Sequence, residues 1–481
     1  MGLTLSPEVK MRQDGGRILL FPVNPGDSLF DPFFHFLNPP HAVILTLFDG
    51  KRDMTDIIRT VSYLFNMNRQ EASNEVEKIL SLKVNDTQTI GSLIIDANDI
   101  DHRKIRVYKP TDFIIPLEMI ENSDVRCKIP SSVLVLPTMR CVTNCRYCYA
   151  DRESFKGRKE FDLPLFKRLV KMMIECGIET VEFSGGDIFC RKDAFDMIKY
   201  TFSVGMYPSI PTKYPLSKNQ ISQLKAMGLS TIQISIDAIN PDIIDWLVMR
   251  LGYGKKIIKT LNYLNEVGIQ VRTNTVLTPH NIKDAINLIH YLAQLPNVFK
   301  IRSTCYSRSL YHHKDGLFSR LRDIYEFEKA LNQIKVEFPD KGIFFSGPNV
   351  DPNESNETKR ISNFSERAIC TANRNSLVVL PDGRVTICEE LYGNEHFIIG
   401  DLNEQTLMEI WNSQKALELA YPAQSSVPDG ACKDCSDFNQ CHLGLGRCVR
   451  ETLKAYGNDR WYWPDPRCPR APKGNQLAEQ Y

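Results

Sequence analysis

Cys141, Cys145 and Cys148 constrain this chain more than any other residues do. They stand in the spacing C-x3-C-x2-C, with Tyr147 just before the last thiol, after the apolar run Ser132-Val133-Leu134-Val135-Leu136-Pro137. A loop of this length can carry three sulfurs to three corners of a cubic iron-sulfur cluster. A tetrahedral zinc site would need a fourth protein ligand, and none lies nearby. The set is one ligand short, and an uncovered iron can bind a small molecule that chelates through an amine and a carboxylate.

Composition narrows the setting. A chain of 481 residues suits two to four domains. Lys plus Arg number 59 against 58 Asp plus Glu, so bulk charge draws the chain to neither nucleic acid nor an anionic membrane. No apolar run reaches the roughly 18 residues of a membrane span. Fourteen cysteines, some in C-x2-C spacing and without a signal-like start, point to metal or cluster ligands in a reducing cytosol. The expectation is a cytoplasmic protein with no membrane and no nucleic-acid partner.

From residue 131 to 337 strand-like and helical runs alternate. Strand-like runs recur at 133–136, 180–184, 207–211, 231–236, 269–276 and 298–303, separated by amphipathic helical patterns. Six such units predict an α/β fold, a partial (β/α)6 TIM-like barrel with its chemistry at the C-terminal ends of the strands. The notable residues fall at those ends. Gly185-Gly186-Asp187 follows the second strand, where paired glycines allow close backbone approach and a carboxylate can meet an ammonium group. Ser235-Ile236-Asp237 closes the fourth strand, and Arg250 precedes Gly252 and Gly254 ahead of the next helix. Cys305, beyond the sixth strand, is either a hydrogen-atom donor, a cluster ligand or a small core residue.

The cysteine spacing with its aromatic, and the glycine pair after the second strand, resemble the radical S-adenosylmethionine (radical SAM) enzymes. That resemblance implies a [4Fe-4S] cluster on Cys141, Cys145 and Cys148. It also implies S-adenosyl-L-methionine held by Tyr147, Gly185, Gly186, Asp187, Ser235, Asp237 and Arg250. The family carries Gly-Gly-Glu-Pro where this chain has Gly185-Gly186-Asp187-Ile188, and Thr212-Lys213 replaces its usual Thr-Asn-Gly.

After a linker at 338–365, residues 366–481 hold Cys370, Cys388, Cys432, Cys435, Cys441, Cys448 and Cys468, with a strand pair turning at Pro381-Asp382-Gly383. Read alone, Cys432-x2-Cys435-x5-Cys441 also suits structural zinc. The whole pattern resembles the SPASM domain of radical enzymes that act on peptides. The resemblance implies two auxiliary iron-sulfur clusters, one on Cys370, Cys388 and Cys448 and one on Cys432, Cys435, Cys441 and Cys468. The first set has no fourth cysteine nearby.

Residues 1–90 read as a separate unit of short strands followed by three helical patterns, a winged-helix-like domain. Glu71, Glu75 and Glu77 on the third helix oppose DNA binding. The string Asn38-Pro39-Pro40 through Leu47-Phe48-Asp49-Gly50 resembles the leader-binding domain typified by the small chaperone of pyrroloquinoline quinone biosynthesis. Residues 91–130 read as a bridging region lying on the next domain. Together the modules imply a maturase that modifies a ribosomally made precursor peptide bound through its leader, forming a thioether or carbon–carbon cross-link. An electron donor such as flavodoxin or ferredoxin is implied as a second partner. Alternatives are epimerisation or backbone excision of a peptide, modification of a protein subunit, and a zinc-bearing winged-helix scaffold without enzymatic activity.

Overall fold

The structure is a computed structural model and describes residues 2–23, 33–85, 88–121, 125–312, 314–348, 356–367 and 369–472. The chain forms two compact units, residues 1–131 and 132–481.

In the first unit, Val9–Gln13 and Ile18–Pro22 form an antiparallel hairpin, and His35–Leu37 adds to it as a third strand. Three helices follow, Pro39–Leu45, Met54–Leu64 and Arg69–Leu80. Their starts are written in the sequence. Asp53 accepts from the Asp56 amide at 2.9 Å, and Asn68 with Glu71 forms a reciprocal capping box. Ile57 and Val61 of the second helix and Val76 and Ile79 of the third are buried in one core with Ile18, Leu20 and Leu37. Leu64, the last residue of its helix, is half exposed.

The segment after residue 90 departs from expectation. Ile94–Asp96 pairs antiparallel with Leu3–Leu5, and Phe113 and Ile115 enter the same core. These residues therefore complete the N-terminal unit rather than form a bridge belonging to the next domain, because their buried apolar side chains join its core.

The second unit is built on parallel strands. Ser132–Val135 pairs with Thr180–Phe183, which pairs with Tyr207–Ser209. The chain breaks step at Ile210, and Pro211–Thr212 pairs with Thr231–Ser235 instead. One strand thus bridges the two halves of the barrel wall. Gln270–Leu277 and Val298–Cys305 continue the wall, and Gly342–Ser346 adds a seventh parallel strand. That strand and the helix Asn356–Ser365 lie where a linker at 338–365 was expected. The polar stretch 349–355 lies outside the described residues, as does His313. On the opposite edge, Ser376–Val379 pairs in parallel with Ser132–Val135 and is followed by the antiparallel strands Arg384–Thr386 and Ile398–Asp401. Gly383, at φ +90°, makes the turn between the first two of these three strands.

Candidate active site

The thiol loop is fastened from several sides. The amides of Asn144 and Arg146 donate to the carbonyls of Val248 and Leu247 at 3.0 and 2.8 Å, at the end of helix Pro241–Val248. Arg152 donates to the Thr143 carbonyl at 2.7 Å and to Asn144 Oδ1. The Thr143 hydroxyl stands between two of the sulfurs, 3.3 Å from Cys141 Sγ and 3.4 Å from Cys145 Sγ. Burial raises the pKa of both Cys145 and Cys148, and nearby Lys213 opposes the rise.

The glycine pair has a structural reason. A Cβ on Gly186 would lie 2.2 Å from the Arg140 carbonyl oxygen, and one on Gly185, whose φ is +91°, 3.0 Å from that of Thr138. Bare backbone lets the end of the second strand lie against the chain that leads into the thiol loop, with the Gly186 amide donating to Thr138 O at 2.8 Å.

Cys141, Cys145, Cys148, Tyr147, both glycines, Asp187, Ser235 and Asp237 line one cavity of about 380 Å³ at the C-terminal ends of the strands. Two of the residues expected at the cofactor make hydrogen bonds within the protein. The Asp187 carboxylate, expected to meet an ammonium group, accepts from Thr212 Oγ1 at 2.7 Å, the Lys213 amide at 2.9 Å and the Phe189 amide at 3.1 Å. Being one methylene shorter than glutamate, it turns into its own loop and ties down the third strand. Arg250, expected to help hold the carboxylate of S-adenosylmethionine, is exposed and donates to the Val142 carbonyl inside the thiol loop.

Lys213 and Glu389 also line this cavity, and the sequence alone did not single them out as site residues. Lys213 Nζ lies 2.9 Å from Asp237 Oδ2, the oxygen that also accepts from the Tyr147 hydroxyl, while the Val276 amide donates to Oδ1 at 3.0 Å. Burial works against the Lys213 charge, but Asp237 and then Cys145 outweigh it and raise the pKa. Glu389 reaches the cavity from the strand pair after Ser376 and accepts from Ser184 Oγ at 3.0 Å and Tyr149 Oη at 3.1 Å. Burial raises its pKa, and these hydrogen bonds oppose the rise. An unusual Lys after Thr212 and an acid directly after Cys388 were the available signals.

The remaining cysteines fall into two neighbourhoods. Cys370, Cys388 and Cys448 line a cavity of about 100 Å³ together with Arg374, Arg447 and Arg450. Cys432, Cys435, Cys441 and Cys468 lie close enough to influence one another electrostatically. Arg470 Nη1 is 3.1 Å from Cys435 Sγ, and Arg367 Nη2 is 3.4 Å from Cys441 Sγ. Such cations favour the thiolate form that metal ligation needs. Cys127 and Cys176 are core residues. Cys190 is half-buried, and burial followed by Asp187 pushes it up to about 12. Cys305 ends the sixth strand, where burial pushes its thiol up to about 11.

Residues 135–292 match the radical SAM superfamily model, and residues 370–436 match that of the SPASM iron-sulfur cluster-binding domain. The chain carries a radical SAM domain followed by a SPASM domain. Among its relatives is a PqqA peptide cyclase of Xanthomonas oryzae pv. oryzae, 23% identical over 354 residues that cover 72% of this chain and 90% of that one. The PqqA peptide cyclase of Bradyrhizobium diazoefficiens is 27% identical over 162 residues, covering 34% of this chain and 43% of that protein. The fold resembles Streptococcus suis SuiB bound to S-adenosylmethionine, with a TM-score of 0.61 at 15% identity over 97% of this chain and 99% of that one. SuiB bound to its precursor peptide SuiA matches equally, at 16% identity over 97% and 100%.

A radical SAM domain binds a [4Fe-4S] cluster and S-adenosylmethionine, and a SPASM domain binds iron-sulfur clusters. The side chains fit. Three thiols of one loop face one cavity, with a hydroxyl between two of the sulfurs instead of direct contact. Among the described residues no three His, Cys, Asp or Glu side chains converge as they would on a single ion.

Proposed function

We propose that this chain is a maturase for a ribosomally made precursor peptide: a substrate carbon loses a hydrogen atom and then closes a thioether or carbon–carbon cross-link. The observation that carries this reading is the single cavity onto which Cys141, Cys145 and Cys148 open beside Ser235 and Asp237. The names of the relatives, a PqqA peptide cyclase and a protein bound to a precursor peptide, favour a peptide as substrate. A cluster held by Cys141, Cys145 and Cys148 would supply the one electron for reductive cleavage of S-adenosylmethionine, which yields methionine and, once a hydrogen atom is taken from the substrate, 5'-deoxyadenosine.

The chain's own residues shape the rest. Tyr147 and Lys213 fix the Asp237 carboxylate at the cavity wall, leaving Ser235 and the 185–186 backbone to meet the cofactor's polar groups. Glu389 sets a second carboxylate at the cavity, hydrogen-bonded to Tyr149 and Ser184. In this proposal the two C-terminal thiol sets would hold auxiliary clusters, which would offer an acceptor for the electron left after bond formation while the accompanying proton passes to solvent, and the N-terminal unit would bind the peptide's leader beside its strands.

The test is anaerobic. Wild-type protein should form 5'-deoxyadenosine on reduction, and Cys145→Ala should form none. Retained formation in the variant would refute the reading. Co-expression with the adjacent short open reading frame should yield a peptide lighter by two hydrogens per cross-link, whereas an unchanged mass would indicate epimerisation.

A further inference from the structure

Cys141 lines a second cavity besides the one described, a more open one of about 620 Å³. Cys141 therefore stands between the reaction cavity and this more open one. Arg140, Arg152, Lys156, Arg158 and Lys159 line this outer cavity, against only Glu153 and Glu160. The excess is local, since the whole chain carries a net charge of only +1.

The arginines have structural work. Arg140 pairs with Glu160 at 2.8 Å, Arg158 with Asp382 at 3.1 Å, and Arg152 holds the thiol loop. The two lysines do not. Lys156 meets exposed Glu153 at 3.3 Å, a surface pair of little worth, and Lys159 has no ionic partner among the described residues. Lys156 directly precedes Gly157 and Lys159 follows two residues after it, and the φ of +80° at Gly157 places it at an exposed turn with open space beside its Cα.

We infer that this basic rim is the docking surface for an acidic one-electron carrier protein, which delivers its electron through the Cys141 side of the cluster. The inference rests on the radical chemistry proposed above. The transfer is balanced without any bond or proton moving: the carrier is oxidised by one electron and the cluster is reduced by one. Opposite charge steers such an encounter and fixes its register, and it weakens as salt shortens the Debye length to about 8 Å. A small chemical reductant needs no such surface.

Reduced flavodoxin and dithionite separate the possibilities. With the K156E/K159E double variant, the flavodoxin concentration giving half-maximal 5'-deoxyadenosine formation should rise about tenfold, and its salt dependence should flatten. Dithionite-driven formation and iron content should match wild type. An unchanged flavodoxin requirement would overturn the proposal. So would an equal loss with both reductants, which would assign the lysines to the cluster or the peptide. Wild-type protein that forms no 5'-deoxyadenosine even with dithionite would instead sink the radical reading itself.

Discussion

Lys213 Nζ lies 2.9 Å from Asp237 Oδ2, joining the end of the third strand to that of the fourth in the wall of the reaction cavity. Asp237 is almost wholly enclosed, and the Lys213 side chain is mostly so. Each charge makes the other tolerable in a place where either alone would be costly.

Asp237→Asn should therefore destabilise the barrel by about 3 kcal/mol, because it strands a buried ammonium. Adding Lys213→Met should restore part of the loss. Urea unfolding of the two variants beside wild type measures both effects, and a double variant no better than the single one would count against the pairing.

Gly186→Ala must push the Arg140 carbonyl away from a Cβ that would sit 2.2 Å from it. The displaced segment leads directly into Cys141. We expect a destabilisation of about 2 kcal/mol or more together with poor iron incorporation, read from thermal unfolding and iron analysis of anaerobically reconstituted protein.

Arg250→Gln distinguishes a loop fastener from a cofactor ligand. If Arg250 serves through the Val142 carbonyl, the variant should load less iron. Its fully loaded fraction should keep a KM for S-adenosylmethionine within about threefold of wild type. A large rise in KM at normal iron content would restore the carboxylate-binding role.

The N-terminal unit should loosen in acid. Burial lowers the pKa of His35, with His41 adding to it, and burial likewise lowers that of His41 even though Glu75 opposes. Below the ordinary value of 6.5 the unfolded chain takes up protons that the folded unit resists, so stability falls as pH drops through that range. Hydrogen exchange in residues 35–45, corrected for its intrinsic pH dependence, should accelerate between pH 7.5 and pH 5.5, and a His35→Phe variant should blunt the response.

Much of the barrel was legible because its strands are apolar runs with a regular beat: Ser132–Val135 and Thr231–Ser235 lie where periodicity places them. Gly342–Ser346 escaped because the short run Ile343-Phe344-Phe345 sits between charged and loop-forming residues, and its partner strand Val298–Cys305 is distant in sequence. The cysteines announced themselves by spacing, which survives any fold. Lys213 and Glu389 did not, since a single charged residue acquires meaning only when the barrel closes and encloses it. Asp187 and Arg250 stood at suggestive positions, but sequence position cannot say which way a carboxylate or guanidinium turns.

The parallel pairing of Ser376–Val379 with Ser132–Val135 has a practical outcome for anyone who would trim this molecule. A shortened version ending before residue 370 would uncover the hydrogen-bonding rim of the barrel's opening strand, directly ahead of the thiol loop. Naked rims of this kind recruit strands from other molecules. The cysteine-rich tail thus doubles as a cover against clumping, and the catalytic half is expected to precipitate when made without it.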